Sequence, residues 1–334
     1  MTNVVKERFA DVGRGITLCF DEIGDPGATP LLLIPGLGQQ LISWPEQLCG
    51  SLAGLGFRVI RLDNRDSGHS THIKAKPPGP LAMMTGRFPP TTYNLRDMAR
   101  DTEGLLDALG IERAHLVGAS MGGMIAQVVA SRYPQRVRSL TSMFSTTGAP
   151  KIGRPALSTW IKMASAPTAH VAEDAAKAEL RMFRHIGSHG FGFDAQGVAE
   201  QAVAAWGRDP TSGGVSRQLA AILASGDRTA ELAGVTAPTL VVHGDRDRMV
   251  ATSGGLATHR AIPHSTLWIV PGMGHDYPRA LWTDFTQRIG THAADADTDR
   301  PGSNDAPHAR ARRPRKRTES VAKAGGTSNI SEGA

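Results

Sequence analysis

The sequence predicts an α/β protein with a mostly parallel central sheet flanked by helices. Short apolar segments bounded by turn residues alternate with longer segments in which apolar residues recur at helical spacing. The segment 31–34, LLLI, is apolar throughout, which is typical of a parallel strand that is buried on both faces. In such a sheet, functional side chains belong on the loops that follow the carboxyl ends of the strands.

The first half of the chain supplies most of the predicted strands. Two strands are expected within residues 4–23, and the later ones at 31–34, 57–62, 114–117 and 137–144. Helical patterns cover residues 43–53 and 94–109. Residues 74–92 contain five prolines and no periodicity, so an irregular connection is expected there.

The alternation of strands and helices stops after residue 150, and residues 151–226 contain only helical patterns. Strand patterns return at 238–243 and 266–270, and a closing helix over 279–289 is expected to end at Gly290. The predicted organisation is therefore a core of residues 1–150 and 227–290, with an inserted helical cap, or lid, over 151–226. Residues 291–334 are poor in large apolar side chains, which predicts a disordered tail.

The net charge of +6 is concentrated in that tail. Residues 310–317, RARRPRKR, contribute six basic side chains, and without them the formal charge is zero. The run has no interleaved aromatic residues, so a nucleic-acid partner is not expected. The N-terminus lacks a signal-peptide pattern, no segment has the length and hydropathy of a membrane span, and the two cysteines have neither metal nor disulfide spacing. A cytoplasmic protein is therefore predicted.

One serine lies between a predicted strand and a predicted helix in the sequence GASMG, residues 118–122. The pattern G-x-S-x-G in this setting indicates a nucleophile elbow, a sharp turn that lifts Ser120 above the sheet. It also places the Met121 amide at a helix N-terminus, where unpaired N–H groups favour negative charge. The loop PGLG at 35–38 follows a central strand and offers the Leu37 amide as a second oxyanion donor, although the same residues also suit a simple β-turn.

A serine hydroxyl needs a base within hydrogen-bond reach and a third group that orients the base. Among twelve histidines, only His275 lies in a glycine-flanked loop directly after a late strand. The loop after strand 238–243 carries two carboxylates, Asp245 and Asp247. The order Ser, Asp, His along the chain is the one expected of hydrolases with this elbow.

Four segments in this order, LLLIPGLG, RLDNRDSGHS, GASMGG and HGDRD with GMGH, resemble the α/β-hydrolases of the esterase and lipase type over about residues 15–290. The second and third resemble especially the aclacinomycin methyl esterase and bacterial carboxylesterase branch. The resemblance implies Ser120 as nucleophile, His275 as base, Asp247 rather than Asp245 as acid, and Leu37 with Met121 as oxyanion amides. It implies no cofactor and no metal. Pro35 departs from the family, in which many members have histidine before the glycine.

The resulting hypothesis is a serine esterase that cleaves small to medium, apolar ester substrates through an acyl-enzyme. Three alternatives remain open: a cofactor-free perhydrolase, a C–C bond hydrolase on the same triad, or a non-catalytic protein that binds small molecules. The sequence carries no signal for the oligomeric state or the physiological substrate.

Overall fold

The computed structural model describes residues 6–165, 168–211 and 213–298. Eight strands form one sheet in the order β1-β2-β4-β3-β5-β6-β7-β8. Their bounds are β1 Arg8–Asp11, β2 Thr17–Ile23, β3 Thr29–Ile34, β4 Phe57–Leu62, β5 Ala114–Ala119, β6 Val137–Met143, β7 Thr239–Gly244 and β8 Thr266–Val270. The strands β1 and β2 are antiparallel to their neighbours and all other pairs are parallel, so the predicted mostly parallel sheet is confirmed.

Helices pack on both faces of this sheet. Their bounds are α1 Glu46–Gly54, α2 Pro80–Thr85, α3 Leu95–Ala108, α4 Met121–Arg132, α5 Leu157–Ala164, α6 Ala172–Ile186, α7 Ala195–Arg208, α8 Gly213–Ser225, α9 Thr229–Leu232, α10 Ser253–Ala261 and α11 Trp282–Thr298. Side chains of β3 alternate between the two apolar cores, with Leu32 and Ile34 in one and Leu31 and Leu33 in the other. The strand is therefore buried on both faces, as its unbroken apolar run indicates.

The helices α5 to α8 lie between β6 and β7, within the segment predicted as a helical cap. Polar contacts join this segment to loops that follow the strands. Arg208 at the end of α7 donates to the buried carboxylate of Asp63 at 2.7 Å, and Arg217 of α8 donates to the buried Asp66 at 2.7 Å. Each pair neutralises a carboxylate that would otherwise be costly to bury.

The closing helix differs from its predicted bounds. It begins at Trp282, after a turn of 3₁₀ helix at Arg279–Leu281, and continues to Thr298, so the disordered tail predicted from residue 291 starts too early. The sequence predicts a helix end at Gly290, but the helix continues past it, and a Cβ on this residue would lie 2.5 Å from Leu55 Cδ1. This glycine therefore allows close packing rather than ending the helix, and Ala293 and Ala296 beyond it are buried. The rest of the predicted tail, 299–334, lies outside the described residues.

The proline-rich connection also differs in part, because it contains the short helix α2. Pro80 occupies the first turn of this helix, where a missing N–H costs nothing, and Gly86 caps its end at φ 67°. Within the residues that the structure describes, no helix has the length and apolar character needed to cross a membrane.

Candidate active site

Ser120 occupies a strained backbone position between β5 and α4. Its φ of 54° and ψ of −117° are unfavourable for a residue with a side chain, and such strain persists only where the surroundings enforce it. The main chain on both sides does so, because Ser120 N donates to Met143 O at 2.9 Å and Met124 N donates to Ser120 O at 3.1 Å. The turn holds the hydroxyl above the carboxyl end of the sheet.

The glycines on either side of Ser120 are required by close backbone approach. A Cβ on Gly118 would overlap the carbonyl group of Gly122, and a Cβ on Gly122 would overlap the carbonyl oxygen of Ile34 at the end of β3. The partners are main-chain atoms of the sheet and helix, which have little room to move. The two glycines of the G-x-S-x-G pattern therefore lie where α4 packs directly against the strands.

We expect Gly122→Ala to lower the free energy of unfolding by about 3 kcal/mol or more, because the added methyl group meets fixed backbone. The matched control is Gly50→Ala in α1, where an added Cβ has no atom within 4 Å. That change should raise the free energy of unfolding by about 0.5–1 kcal/mol through helix propensity. Urea unfolding of both variants measures the difference. Equal stability of the two variants would contradict the packing at the elbow.

The structure brings three of the predicted site residues into one hydrogen-bonded series. His275 Nε2 lies 3.0 Å from Ser120 Oγ, and His275 Nδ1 lies 2.7 Å from Asp247 Oδ2. The three residues come from the loops after β5, β7 and β8, which are neighbours or near neighbours in the sheet. The Phe144 ring packs against the His275 imidazole with centroids 4.9 Å apart, which restricts its orientation.

Asp247 is buried and its carboxylate is held by several donors. Its Oδ1 accepts the N–H groups of Met249 and Val250, each at 2.8 Å, while the ring of His243 lies 3.4 Å from Oδ2. Burial alone would raise the pKa of this carboxyl, but the nearby His275 and the hydrogen bonds from both histidines outweigh it and lower the pKa to about 2. Ionised Asp247 thus contributes stability above its ordinary pKa of 3.8, and this contribution is lost as the pH falls through about 2.

The competing carboxylate, Asp245, has a different position. Its Oδ1 accepts the Gly272 N–H at 2.7 Å and it lies on the exposed side of the loop. His243 on β7 is fully buried and its Nε2 lies 2.8 Å from Val250 O. The structure therefore pairs Asp247, and not Asp245, with His275.

Two residues that sequence reasoning missed hold the His275 loop against the end of α6. Ser188 donates its backbone N–H and its hydroxyl to the carboxylate of Asp276, and its Oγ accepts the Gly274 N–H at 2.8 Å. The His275 N–H donates to Ile186 O at 2.8 Å. Burial raises the pKa of Asp276 despite these bonds. A serine after a helical segment is too common a signal to be recognised from sequence.

The two predicted oxyanion donors lie on adjoining loops. Met121 is the first residue of α4, and Leu37 is in the loop after β3. Neither backbone N–H has an acceptor within the described part of the chain. Neighbouring bonds fix the Leu37 loop, since Asn64 Nδ2 donates to Pro35 O at 3.1 Å and Gly38 N donates to Gln218 Oε1 at 2.8 Å. The polar segment after β4 therefore holds this loop in place through Asn64.

One cluster in the described residues has potential metal-binding geometry. Ligand atoms of Glu7, Cys19 and His69 lie within 4.8 Å of one another. The Arg208 guanidinium donates to Glu7 Oε1 at 2.9 Å and lies 3.8 Å from Cys19 Sγ. Burial, with the charges of Asp63 and Glu7, raises the pKa of the Cys19 thiol well above its usual range. A cation already neutralises this cluster and the thiolate is disfavoured, so it acts as part of the ion-pair network around Arg208.

A serine hydroxyl, an imidazole and a carboxylate in this arrangement, beside two free amides, have the form of a site for nucleophilic attack on a carbonyl. Fold and site together define a hydrolase. The chain belongs to the α/β-hydrolase family, because residues 29–277 match the family model described as alpha/beta hydrolase fold. The family resemblance carried by the four sequence segments is confirmed.

Similar proteins match most of the chain. Rhodomycin D methylesterase of Streptomyces sp. strain C5 is 27% identical over 83% of this chain and 95% of its own length. A 2-hydroxy-6-oxononadienedioate/2-hydroxy-6-oxononatrienedioate hydrolase of Paraburkholderia phymatum is 28% identical over 82% of this chain and 91% of its own length. The crystal structure of a hydrolase from Pseudomonas aeruginosa PA01 covers 88% of this chain and 99% of its own, with 25% identity and a TM-score of 0.66.

Proposed function

We propose that this hydrolase cleaves carboxylic esters of small to medium, apolar compounds with Ser120 as nucleophile, His275 as general base and Asp247 as the orienting acid. The observation that carries the proposal is the hydrogen-bonded series at 3.0 and 2.7 Å, with its serine on a strained elbow. The similarity to a methylesterase supports an ester rather than another substrate class.

In the proposed acylation step, His275 Nε2 takes the proton from Ser120 Oγ as the hydroxyl attacks the ester carbonyl. The negative charge of the tetrahedral intermediate would be stabilised by the N–H groups of Met121 and Leu37, which are oriented before the reaction begins. Asp247 stabilises the imidazolium that forms and fixes the tautomer with the proton on Nδ1. His275 then donates its proton to the departing alcohol.

Water completes the proposed cycle by attacking the acyl-enzyme. His275 accepts a proton from this water, and the same two amides stabilise the second tetrahedral intermediate. Collapse of that intermediate releases the carboxylic acid and returns the proton to Ser120. Every step uses side chains and amides of this chain.

Cleavage of a C–C bond is a second candidate function, because the relative from Paraburkholderia phymatum is named for a dienedioate substrate. The same triad geometry could serve both reactions, so the substrate decides between them. The helical segment 151–226 contacts the loops that carry Gln40, Asp63 and His275. This supports the proposal that the segment is a cap that sets substrate choice.

A substrate comparison tests the proposal. The purified protein should hydrolyse methyl and p-nitrophenyl esters of acetate, butyrate and octanoate, measured as kcat/KM, and should not cleave a dienedioate that contains the vinylogous diketone. The Ser120→Ala variant provides the blank for both reactions. Cleavage of the dienedioate without hydrolysis of any ester would replace the ester proposal with the C–C candidate.

A further inference from the structure

The inner face of α6 lies towards the loops that carry the proposed catalytic groups. Ala176 and Ile186 on this face are buried, and the Ile186 carbonyl accepts the His275 N–H. Glu179 lies two helical turns before Ile186 and therefore shares its face. The outer face of the same helix is basic instead, with Lys177, Arg181 and Arg184 around an open cavity of about 510 Å³. An acidic residue on the inner face is thus separated from these cations by the helix itself.

The Glu179 carboxylate has few polar contacts to offset the cost of removing it from water. Among the described residues its one hydrogen-bond partner is Gln39, whose Nε2 donates to Oε1 at 3.3 Å, and no cation pairs with it. Burial raises the pKa of this carboxyl, which the hydrogen bond from Gln39 offsets only in part. By accessible surface the residue is half-buried, so it remains open to contact with a ligand. A buried carboxylate without a cation is costly unless a ligand supplies one.

The hydrogen-bond partner of Glu179 connects it to the nucleophile. Gln39 belongs to the same loop as Leu37, two residues further along the chain. If Gly36 carried a Cβ, that atom would lie within 4 Å of both Gln39 Cγ and Ser120 Cβ. The side chains of Gln39 and Ser120 therefore both lie next to Gly36. The Gln39 side chain therefore links the Glu179 carboxylate to the loop that lies beside Ser120.

We propose that Glu179 is a specificity residue, which favours esters that carry a cationic ammonium group and disfavours esters that carry a carboxylate. This inference rests on the proposed ester hydrolysis at the same site and adds a preference for one cationic group to the otherwise apolar substrate. A carboxylate that is partly withdrawn from water attracts a nearby substrate cation strongly and repels an anion by a similar amount. The dienedioate relatives are named for substrates with two carboxylates, which a carboxylate at this position would repel.

Matched pairs of esters test the role of charge. The first pair is butyrylcholine and its uncharged isostere, in which a tert-butyl group replaces the trimethylammonium group. In the second pair, the same two groups stand at the end of the acyl chain of a p-nitrophenyl ester. A butyryl ester that ends in a carboxylate supplies the anionic case. The variants are Glu179→Gln, which keeps the size and the acceptor for Gln39, and Glu173→Gln, which removes one charge from the exposed side of the same helix. All kcat/KM values are measured at pH 8.

For the unchanged protein and Glu173→Gln, we expect at least one cationic ester to exceed its uncharged isostere by about tenfold in kcat/KM. In Glu179→Gln, the ratio of kcat/KM for the cationic ester to that for its uncharged isostere should fall about tenfold. The kcat/KM for the anionic ester should rise, and the kcat/KM values for the uncharged esters should stay within about threefold of those of the unchanged protein. An unchanged ratio in Glu179→Gln would overturn the proposal. An equal loss on all esters would overturn it too, because Glu179 would then position the Gln39 loop. Failure of the unchanged protein on every ester tested, charged and uncharged, would instead refute ester hydrolysis itself.

Discussion

Ser120→Ala is expected to lower kcat for ester hydrolysis by about six orders of magnitude, which is the scale of loss when a triad nucleophile is removed. The variant keeps the G-x-S-x-G backbone, because alanine fills the same position without the hydroxyl. His275 then has no nucleophile to activate. The hydrogen bond between Asp247 and His275 Nδ1 is expected to remain, because it lies on the other side of the ring from Ser120. Steady-state kinetics on p-nitrophenyl butyrate measures the loss, and circular dichroism measures the retained fold.

A serine within α4, the helix that follows Ser120, provides the control. Ser131 lies near the end of α4, and its hydroxyl donates to Val128 O at 3.1 Å. We expect Ser131→Ala to keep kcat within about twofold, because the lost bond is a local one within the helix. If Ser120→Ala retained activity near that of Ser131→Ala, the nucleophile would lie elsewhere.

Asp247→Asn is expected to lower kcat by about four orders of magnitude. The amide has nearly the same shape, but it carries no charge to stabilise the imidazolium and can present an N–H to Nδ1, which favours the wrong tautomer of His275. The buried position of Asp247 leaves no water to replace the carboxylate. The KM should change little, since Asp247 does not contact the substrate in the proposed mechanism.

Asp245→Asn is the matched control, because the two carboxylates lie on one loop and only one reaches His275. The asparagine oxygen can still accept the Gly272 N–H, so we expect kcat within about threefold of the unchanged protein. If Asp245→Asn proved the more damaging substitution, the orienting acid would be misassigned.

Much of the fold can be predicted from the sequence because its strongest signals are local. The unbroken apolar run of β3 indicates that the strand is buried on both faces. Asn94 caps α3, because its side chain accepts hydrogen bonds from the N–H groups of Arg96 and Asp97. Gly290 shows where local signals fail. The sequence indicates a helix end at this glycine, whereas α11 continues to Thr298 and buries Ala293 and Ala296.

The proposed catalytic groups could be predicted because the order of Ser120, Asp247 and His275 and their loops is fixed by the topology of the sheet. The supporting contacts could not, since Ser188 with Asp276 and Gln39 with Glu179 join the cap segment to distant loops. Such pairs depend on how helices lie over the sheet, and one sequence contains no signal for that orientation. The substrate preference proposed for Glu179 belongs to the same category.

Covalent trapping tests the central claim most directly. An activated phosphate triester, diethyl p-nitrophenyl phosphate, should transfer its diethylphosphoryl group to Ser120 Oγ and release one equivalent of p-nitrophenolate per chain. Mass spectrometry of the digested protein should find this single adduct on the peptide that contains Ser120, and the His275→Ala variant should form it far more slowly because the hydroxyl lacks its base. Loss of esterase activity with Ser120 unmodified, or with the adduct on another residue, would contradict the account.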